Sequence, residues 1–321
     1  MNQTDTDELV TRLTNGDRRA LARAITKVEN ADVSLRGIMS ALAPRTGRAR
    51  VIGLTGAPGV GKSTTTDALT RVLRDQGSSV AVLAVDPSSP FSGGALLGDR
   101  IRMQQHAGDR GVFIRSMASR GHLGGLSWAA PHALRVLDAA GFDVVLVETV
   151  GVGQAEVEIA RHADTTLVLS APGMGDGVQA AKAGVLEVAD LLVVNKADRE
   201  GAHATVRELR QMVSQGTREP DAWKPPIVSM VAAHGTGVPE LLERIGAHEE
   251  YLRESGALER RRRTRAREEI EAIALAELRQ RLAAVQDSEQ RRAVVDKLAG
   301  EVAAGSTDPY TAADTLLAEL S

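Results

Sequence analysis

The sequence predicts an α/β fold: a mostly parallel sheet flanked by helices, with helical extensions at both ends. Three observations predict it. Short β-branched apolar runs recur between residues 51 and 231. Most are nearly continuous in apolar residues, as expected of strands covered on both faces. Helical stretches separate many of them, the pattern of strand–helix–strand crossovers.

The first 47 residues read as a helical extension, because Leu9, Val10, Leu13, Leu21, Ala22, Ile25 and Val28 recur at helical spacing. APRTGRAR (43–50) is a linker of turn formers and basic residues. The strands are then VIGLTG (51–56), VAVLAVD (80–86), VFIRSM (112–117), DVVLVET (143–149), TTLVLS (165–170), DLLVVNK (190–196) and PIVSMV (226–231). The α/β domain spans residues 48–250. Residues 251–321 form a C-terminal helical arm, with a long charged helix over 256–286 and shorter ones near 287–303 and 309–320.

Composition narrows the function. A net charge of −3 supplies no global field for nucleic acid or an anionic membrane. Aromatics at 2% are too few for stacking platforms on single strands. With no cysteine, disulfides, zinc–thiolate sites and thiol nucleophiles are excluded, which fits a reducing cytoplasm. The polar, acidic N-terminus lacks the features of a signal peptide. No apolar run reaches the roughly 20 residues that span a bilayer.

GAPGVGKS (56–63) matches G-x-x-x-x-G-K-[ST] between a strand and a helix. Gly56, Gly59 and Gly61 let the loop, with Ala57, Pro58 and Val60, wrap phosphate oxygens. Successive amides and the N-terminus of the helix beginning near Lys62 and Thr64 aim positive dipoles at them. Lys62 reaches the β- and γ-phosphates and Ser63 ligates Mg²⁺. NKAD (195–198) ends a later strand. The Asp198 carboxylate can accept from guanine N1–H and the exocyclic amine, a donor pair adenine lacks. Asn195 can bond to N7 and nearby backbone, and the stem of Lys196 can cover the ring. GTP and GDP are therefore the expected nucleotides. In VAAHG (231–235), Val231 stands where many GTPases have serine, and Ala232 offers its N–H to the guanine oxygen.

Glu148 in VETVGVGQ (147–154) occupies the place of the usual Asp-x-x-Gly acid. It could bind Mg²⁺ directly or through water, and Gly151 could sense the γ-phosphate with its amide. Asp86 at a strand end and Asp99 in a glycine-flanked loop could hold Mg²⁺ or orient the attacking water. His122 and His162 are single histidines suited to structural or solvated roles. APGMGDGVQAAKAG (171–184) is glycine-hinged, and Asp176, Gln179 and Lys182 share a helical spacing of three. No side-chain constellation suggests covalent catalysis, so γ-phosphoryl transfer to water is expected.

GLTGAPGVGKST (53–64), VLAVDPSSPFSGGALLGDRIRM (82–103), FIRSMASRGHLGGLS (113–127), FDVVLVETVGVGQAEVE (142–158), APGMGDGVQAAKAG (171–184) and ADLLVVNKAD (189–198) together resemble the MeaB/ArgK/MMAA family. These are P-loop GTPases that act as G-protein chaperones of adenosylcobalamin-dependent acyl-CoA mutases. The resemblance implies the SIMIBI branch of P-loop NTPases, a homodimer and a C-terminal dimerisation arm. It also implies Mg²⁺ near Ser63, Asp86, Asp99 and Glu148, and a switch at Gly151. Residues 171–184 would be a further switch, in which Asp176, Gln179 and Lys182 sense the mutase and Lys182 approaches the nucleotide. Neither a nucleic-acid partner nor a membrane is implied. Val231 departs from the family pattern. The arginine-rich 257–286 stretch is either a solvated face or part of a dimer seam. Two other activities stand beside this one. A metal-insertion GTPase of the nickel-enzyme maturation type would need soft ligands that a cysteine-free chain lacks. A kinase of a transport protein would need ATP, against which NKAD argues.

Overall fold

Strands β1 (Arg50–Gly56), β2 (Val80–Pro87), β3 (Val112–Ser119), β4 (Val144–Thr149), β5 (Thr165–Ser170), β6 (Leu191–Val194) and β7 (Ile227–Ser229) form one sheet. Their order is β3-β2-β4-β1-β5-β6-β7, and every neighbouring pair is parallel. The computed structural model describes residues 3–87, 106, 108–119, 129–149, 161–173, 188–215, 222–287 and 289–318. Helices among them are α1 (Gln3–Thr14), α2 (Arg18–Glu29), α3 (Leu35–Leu42), α4 (Lys62–Asp75), α5 (Ala129–Ala139), α6 (Ala202–Gln215) and α7 (Val238–Glu254), then α8 (Ala257–Asp287), α9 (Glu289–Ala303) and α10 (Pro309–Ala318). The seven expected strands and the parallel, helix-covered sheet are all present. The last two strands are shorter than the apolar runs suggest. β6 stops at Val194: the Asn195 amide makes the last bond to β5, donating to Ser170 O at 2.9 Å, and Lys196 then adopts a left-handed φ of 56°.

The strands alternate their side chains between the two faces of the sheet. On one face, Ile52 and Leu54 of β1 and Val144 and Leu146 of β4 pack with Leu69 and Leu73 of α4 and Leu241 and Ile245 of α7. On the other face, Val145 and Val147 meet Ala133 and Leu137 of α5, and the buried side of α1–α3 continues the same cluster. Leu9, Val10, Leu13, Leu21, Ile25 and Val28 are all buried there, so the helical periodicity of the N-terminus reports packing onto the α/β core. Asp17 caps α2 by accepting from the amides of Arg19 (2.8 Å) and Ala20 (3.1 Å). The linker is anchored too: the Asp138 carboxylate accepts from the successive amides of Gly47, Arg48 and Ala49.

The chain divides into two compact units, Met1–Arg261 and Arg262–Ser321. In the second, Ile270, Ile273, Leu275 and Leu278 of α8 are exposed, as are Tyr310 and Leu317 of α10. Among the described residues no helix is long and apolar enough to cross a membrane.

Candidate functional site

β1, β4 and β6 all end at the carboxyl edge of the sheet, where parallel α/β folds gather ligand sites. β1 runs directly into the glycine loop, and Gly61 caps α4 with a left-handed φ of 98°. Two of the glycines are required by their surroundings. A Cβ on Gly56 would stand 2.2 Å from the backbone oxygen of Leu169, and one on Gly61 would stand 2.3 Å from Asn195 Nδ2. The loop therefore lies flush against β5 on one side and the residue after β6 on the other.

The Lys62 ammonium folds back over this loop. It donates to the carbonyls of Gly56 (2.7 Å) and Ala57 (3.0 Å). Ser63, the next residue of α4, donates from Oγ to Glu148 Oε1 at 2.5 Å. Thr66, one turn on, donates to Glu148 Oε2 at 3.1 Å. All four of these side chains are buried. Parallel pairing of β1 with β4, in which Leu54 stands opposite Glu148, brings the glutamate beside the start of α4. Thr66 is absent from the sequence reading. Its spacing of three from Ser63 on one helical face is the signal that could have found it.

The NKAD element closes on the same loop. Asn195 is buried, donates from Nδ2 to the Val60 carbonyl at 2.8 Å and accepts from the Ala232 amide at 3.0 Å. Thus the Ala232 N–H, expected to face a guanine oxygen, points to Asn195. Lys196 Nζ reaches the Gly59 carbonyl at 2.6 Å. Asp198 is exposed beyond them. Val231 is held by a backbone bond from its amide to Thr236 O, 2.9 Å. One asparagine thus joins the glycine loop, the end of β6 and the turn after β7. Of the other candidates, Asp86 is the penultimate residue of β2 and pairs with Ala118. Asp99, Gly151, Asp176, Gln179 and Lys182 lie outside the described residues.

Asn195 also makes the loop sensitive to added bulk. Gly61→Ala places a methyl against an amide whose two bonds restrain it, and forces alanine into a left-handed conformation costing about 1–2 kcal/mol. The expected result is at least a tenfold loss of affinity for GDP in a fluorescence titration, with the protein still folded by circular dichroism. Affinity within twofold of the unaltered protein would refute this account of the loop.

A glycine loop that opens a helix at the carboxyl edge of a parallel sheet, with a lysine and a serine in the first turn, defines a P-loop nucleotide-binding protein. The family model for "Methylmalonyl Co-A mutase-associated GTPase MeaB" matches residues 21–287, and the chain belongs to this family of GTPases. A relative in Pyrococcus abyssi, named as a GTPase, is 49% identical over 317 residues, covering 98% of this chain and 96% of its own. GTPase ArgK of Escherichia coli is 40% identical over 267 residues, 81% of this chain and 80% of its own. The crystal structure of a LAO/AO transport system kinase superposes with a TM-score of 0.72 at 30% identity, covering 100% of this chain and 99% of that one.

Proposed function

We propose that this GTPase controls adenosylcobalamin loading, protection and repair of an acyl-CoA mutase in the cytoplasm, its nucleotide state biasing a conformational equilibrium of the partner. The observation that carries the nucleotide chemistry is the Ser63–Glu148–Thr66 cluster beside the Lys62 ammonium. The family description, which names association with methylmalonyl-CoA mutase, supports the partner.

In this reading GTP lies along residues 56–64, with Lys62 against the β- and γ-phosphates. Ser63 Oγ and a Glu148 carboxylate oxygen stand side by side, and hard oxygens of this kind suit Mg²⁺, which keeps several waters and phosphate oxygens as its other ligands. Asp86 and Asp99 are proposed to complete its surroundings. The ion would supply charge neutralisation at the β- and γ-phosphates. Gly151 is proposed to read the γ-phosphate. Asp176, Gln179 and Lys182 are proposed to sense the mutase, Lys182 adding positive charge as the transferred group develops negative charge. Exposed Ile270, Ile273, Leu275 and Leu278 of α8 support a homodimer formed through the arm.

Base choice rests on Asp198, Asn195, Lys196 and the 231–232 turn. Guanine presents two donors to a carboxylate, whereas xanthine replaces the exocyclic amine by an oxygen. Asp198→Asn offers an amide donor to that oxygen. The expected outcome is a preference shifted from GTP towards xanthosine triphosphate by at least tenfold in relative kcat/KM. An unchanged preference would remove Asp198 from the base site.

The name of the LAO/AO transport system kinase favours a second reading, phosphoryl transfer to a protein acceptor. One experiment separates the two. Turnover of γ-labelled GTP and ATP is followed with and without methylmalonyl-, ethylmalonyl- and isobutyryl-CoA mutases, for the unaltered chain and Lys182→Ala. The mutase reading expects inorganic phosphate as product, GTP preferred, and a rise with one mutase that the variant loses. Label on a protein, or a rate indifferent to every mutase, counts against it.

A further inference from the structure

Thr55, the residue before Gly56, and Thr149, the residue after Glu148, are 0% and 1% exposed. Among the described residues the Oγ1 atom of each has no hydrogen-bond partner. Both side chains lie on the same face of the sheet. Ile52 and Leu54 of β1 point to the core under α4, as do Val144 and Leu146 of β4, so the odd-numbered residues point the other way, with Val145 and Val147. The β1–β4 register pairs Gly53 with Val147 and Leu54 with Glu148, so Thr55 and Thr149 are the residues that follow the last pair. Their flanking partners in the sheet are apolar: Val85 of β2 stands opposite Thr149, and Val168 of β5 opposite Thr55.

A hydroxyl left without a partner in such a place costs about 1–3 kcal/mol, and valine would fill either position with nearly the same shape. Two such hydroxyls on adjacent strands point to a shared partner. Facing threonine hydroxyls on neighbouring strands can bond each other directly, but these two make no such bond. Two O–H···O bonds of about 2.8 Å, meeting at a tetrahedral oxygen, span roughly 4.5 Å. That is the reach of one water molecule. Water both donates and accepts, as each threonine does. A metal ion would demand more oxygens than this pair supplies.

We infer that Thr55 and Thr149 form a binding site for a single buried water, which bridges β1 and β4 behind the nucleotide site. The bridge ties the strand that enters the glycine loop to the strand that carries Glu148, on the face of the sheet away from α4. It is independent of the mutase reading, because it concerns only the two strand ends.

Thermal unfolding of the full chain tests it, with Thr55→Val, Thr149→Val and the double variant. Each single change strands the water and the remaining hydroxyl, so each midpoint is expected to fall by about 2–4 °C. The double change removes the need for the water, and its midpoint is expected to lie no lower than that of either single variant. Single variants that are each unchanged or more stable, or losses that simply add, would overturn the inference. A high-resolution crystal structure of the unaltered protein supplies a second readout that does not depend on the variants. Ordered water within hydrogen-bonding distance of both Oγ1 atoms supports the site, and clear density without it overturns it.

Discussion

Lys62→Met is expected to reduce GTP turnover by about 10²–10³-fold, the scale on which a preorganised electrostatic donor acts on developing charge. Methionine keeps the apolar stem of the buried lysine and removes only the ammonium. The two carbonyls it bonds, on Gly56 and Ala57, belong to the loop itself. Losing that donor costs the folded state about 1–3 kcal/mol, so the unfolding midpoint is measured beside turnover to show that the variant remains folded. The change should appear mainly in kcat if the ammonium acts on charge that grows in the transition state. It should appear mainly in KM if the ammonium only holds ground-state phosphate. A decrease of less than tenfold in kcat/KM, with the fold intact, would remove Lys62 from the reaction.

Asp190→Asn is expected to be the most destabilising single change at the opposite edge of the sheet. Asp190 is buried at the start of β6. Its Oδ2 accepts from the Thr166 amide (2.9 Å) and Arg261 (3.0 Å), and its Oδ1 accepts a second bond from Arg261 (2.8 Å). His248 Nε2 lies 3.2 Å from Oδ1, and its Nδ1 lies 2.9 Å from the Thr165 hydroxyl. Trp223 packs against His248 with the rings tilted, centroids 4.8 Å apart, and donates from its indole to the Asp190 carbonyl at 2.7 Å. Asparagine keeps the shape but removes the carboxylate that both Arg261 Nη atoms bond, leaving the guanidinium only the weaker attraction of Asp164 among the acidic groups that act on it. Because 40% of the Arg261 side chain remains in solvent, the loss falls at the low end for broken buried pairs, about 3 kcal/mol in urea unfolding.

The same carboxylate sets a pH dependence. Burial opposes its ionisation, but His248 and Arg261 outweigh burial and hold Asp190 below the usual carboxylate range. A carboxyl depressed by folding contributes stability above its unfolded pKa, about 3.9, and loses it as pH falls through the folded value. The stability difference between the unaltered protein and Asp190→Asn should thus be full at neutral pH and shrink below about pH 4. A difference that stays constant down to pH 2 would mean that the charge is not what stabilises this region.

The sequence alone determined the fold class and named the segments of the candidate nucleotide site. Apolar runs of strand length separated by helical stretches specify a parallel sheet, and the glycine loop, NKAD and Glu148 each carry their chemistry in consecutive residues. Periodicity alone found the buried face of α1 and α2. Sheet order lay beyond it, because a strand's neighbours are chosen by packing across the whole core rather than by local pattern. That order is what sets Glu148 beside Ser63 and Thr66, more than 80 residues away in the chain. It also turned the Ala232 amide to Asn195 and drew Asn195 onto the glycine loop, contacts a tetrapeptide cannot specify. Asp190, Trp223, His248 and Arg261 share no spacing, and Thr55 and Thr149 read as ordinary β-branched strand residues. Only the tertiary structure shows which buried polar atoms find partners. Burial turns each hydrogen bond into an obligation, and the groups that meet it come from whichever elements the sheet brings together.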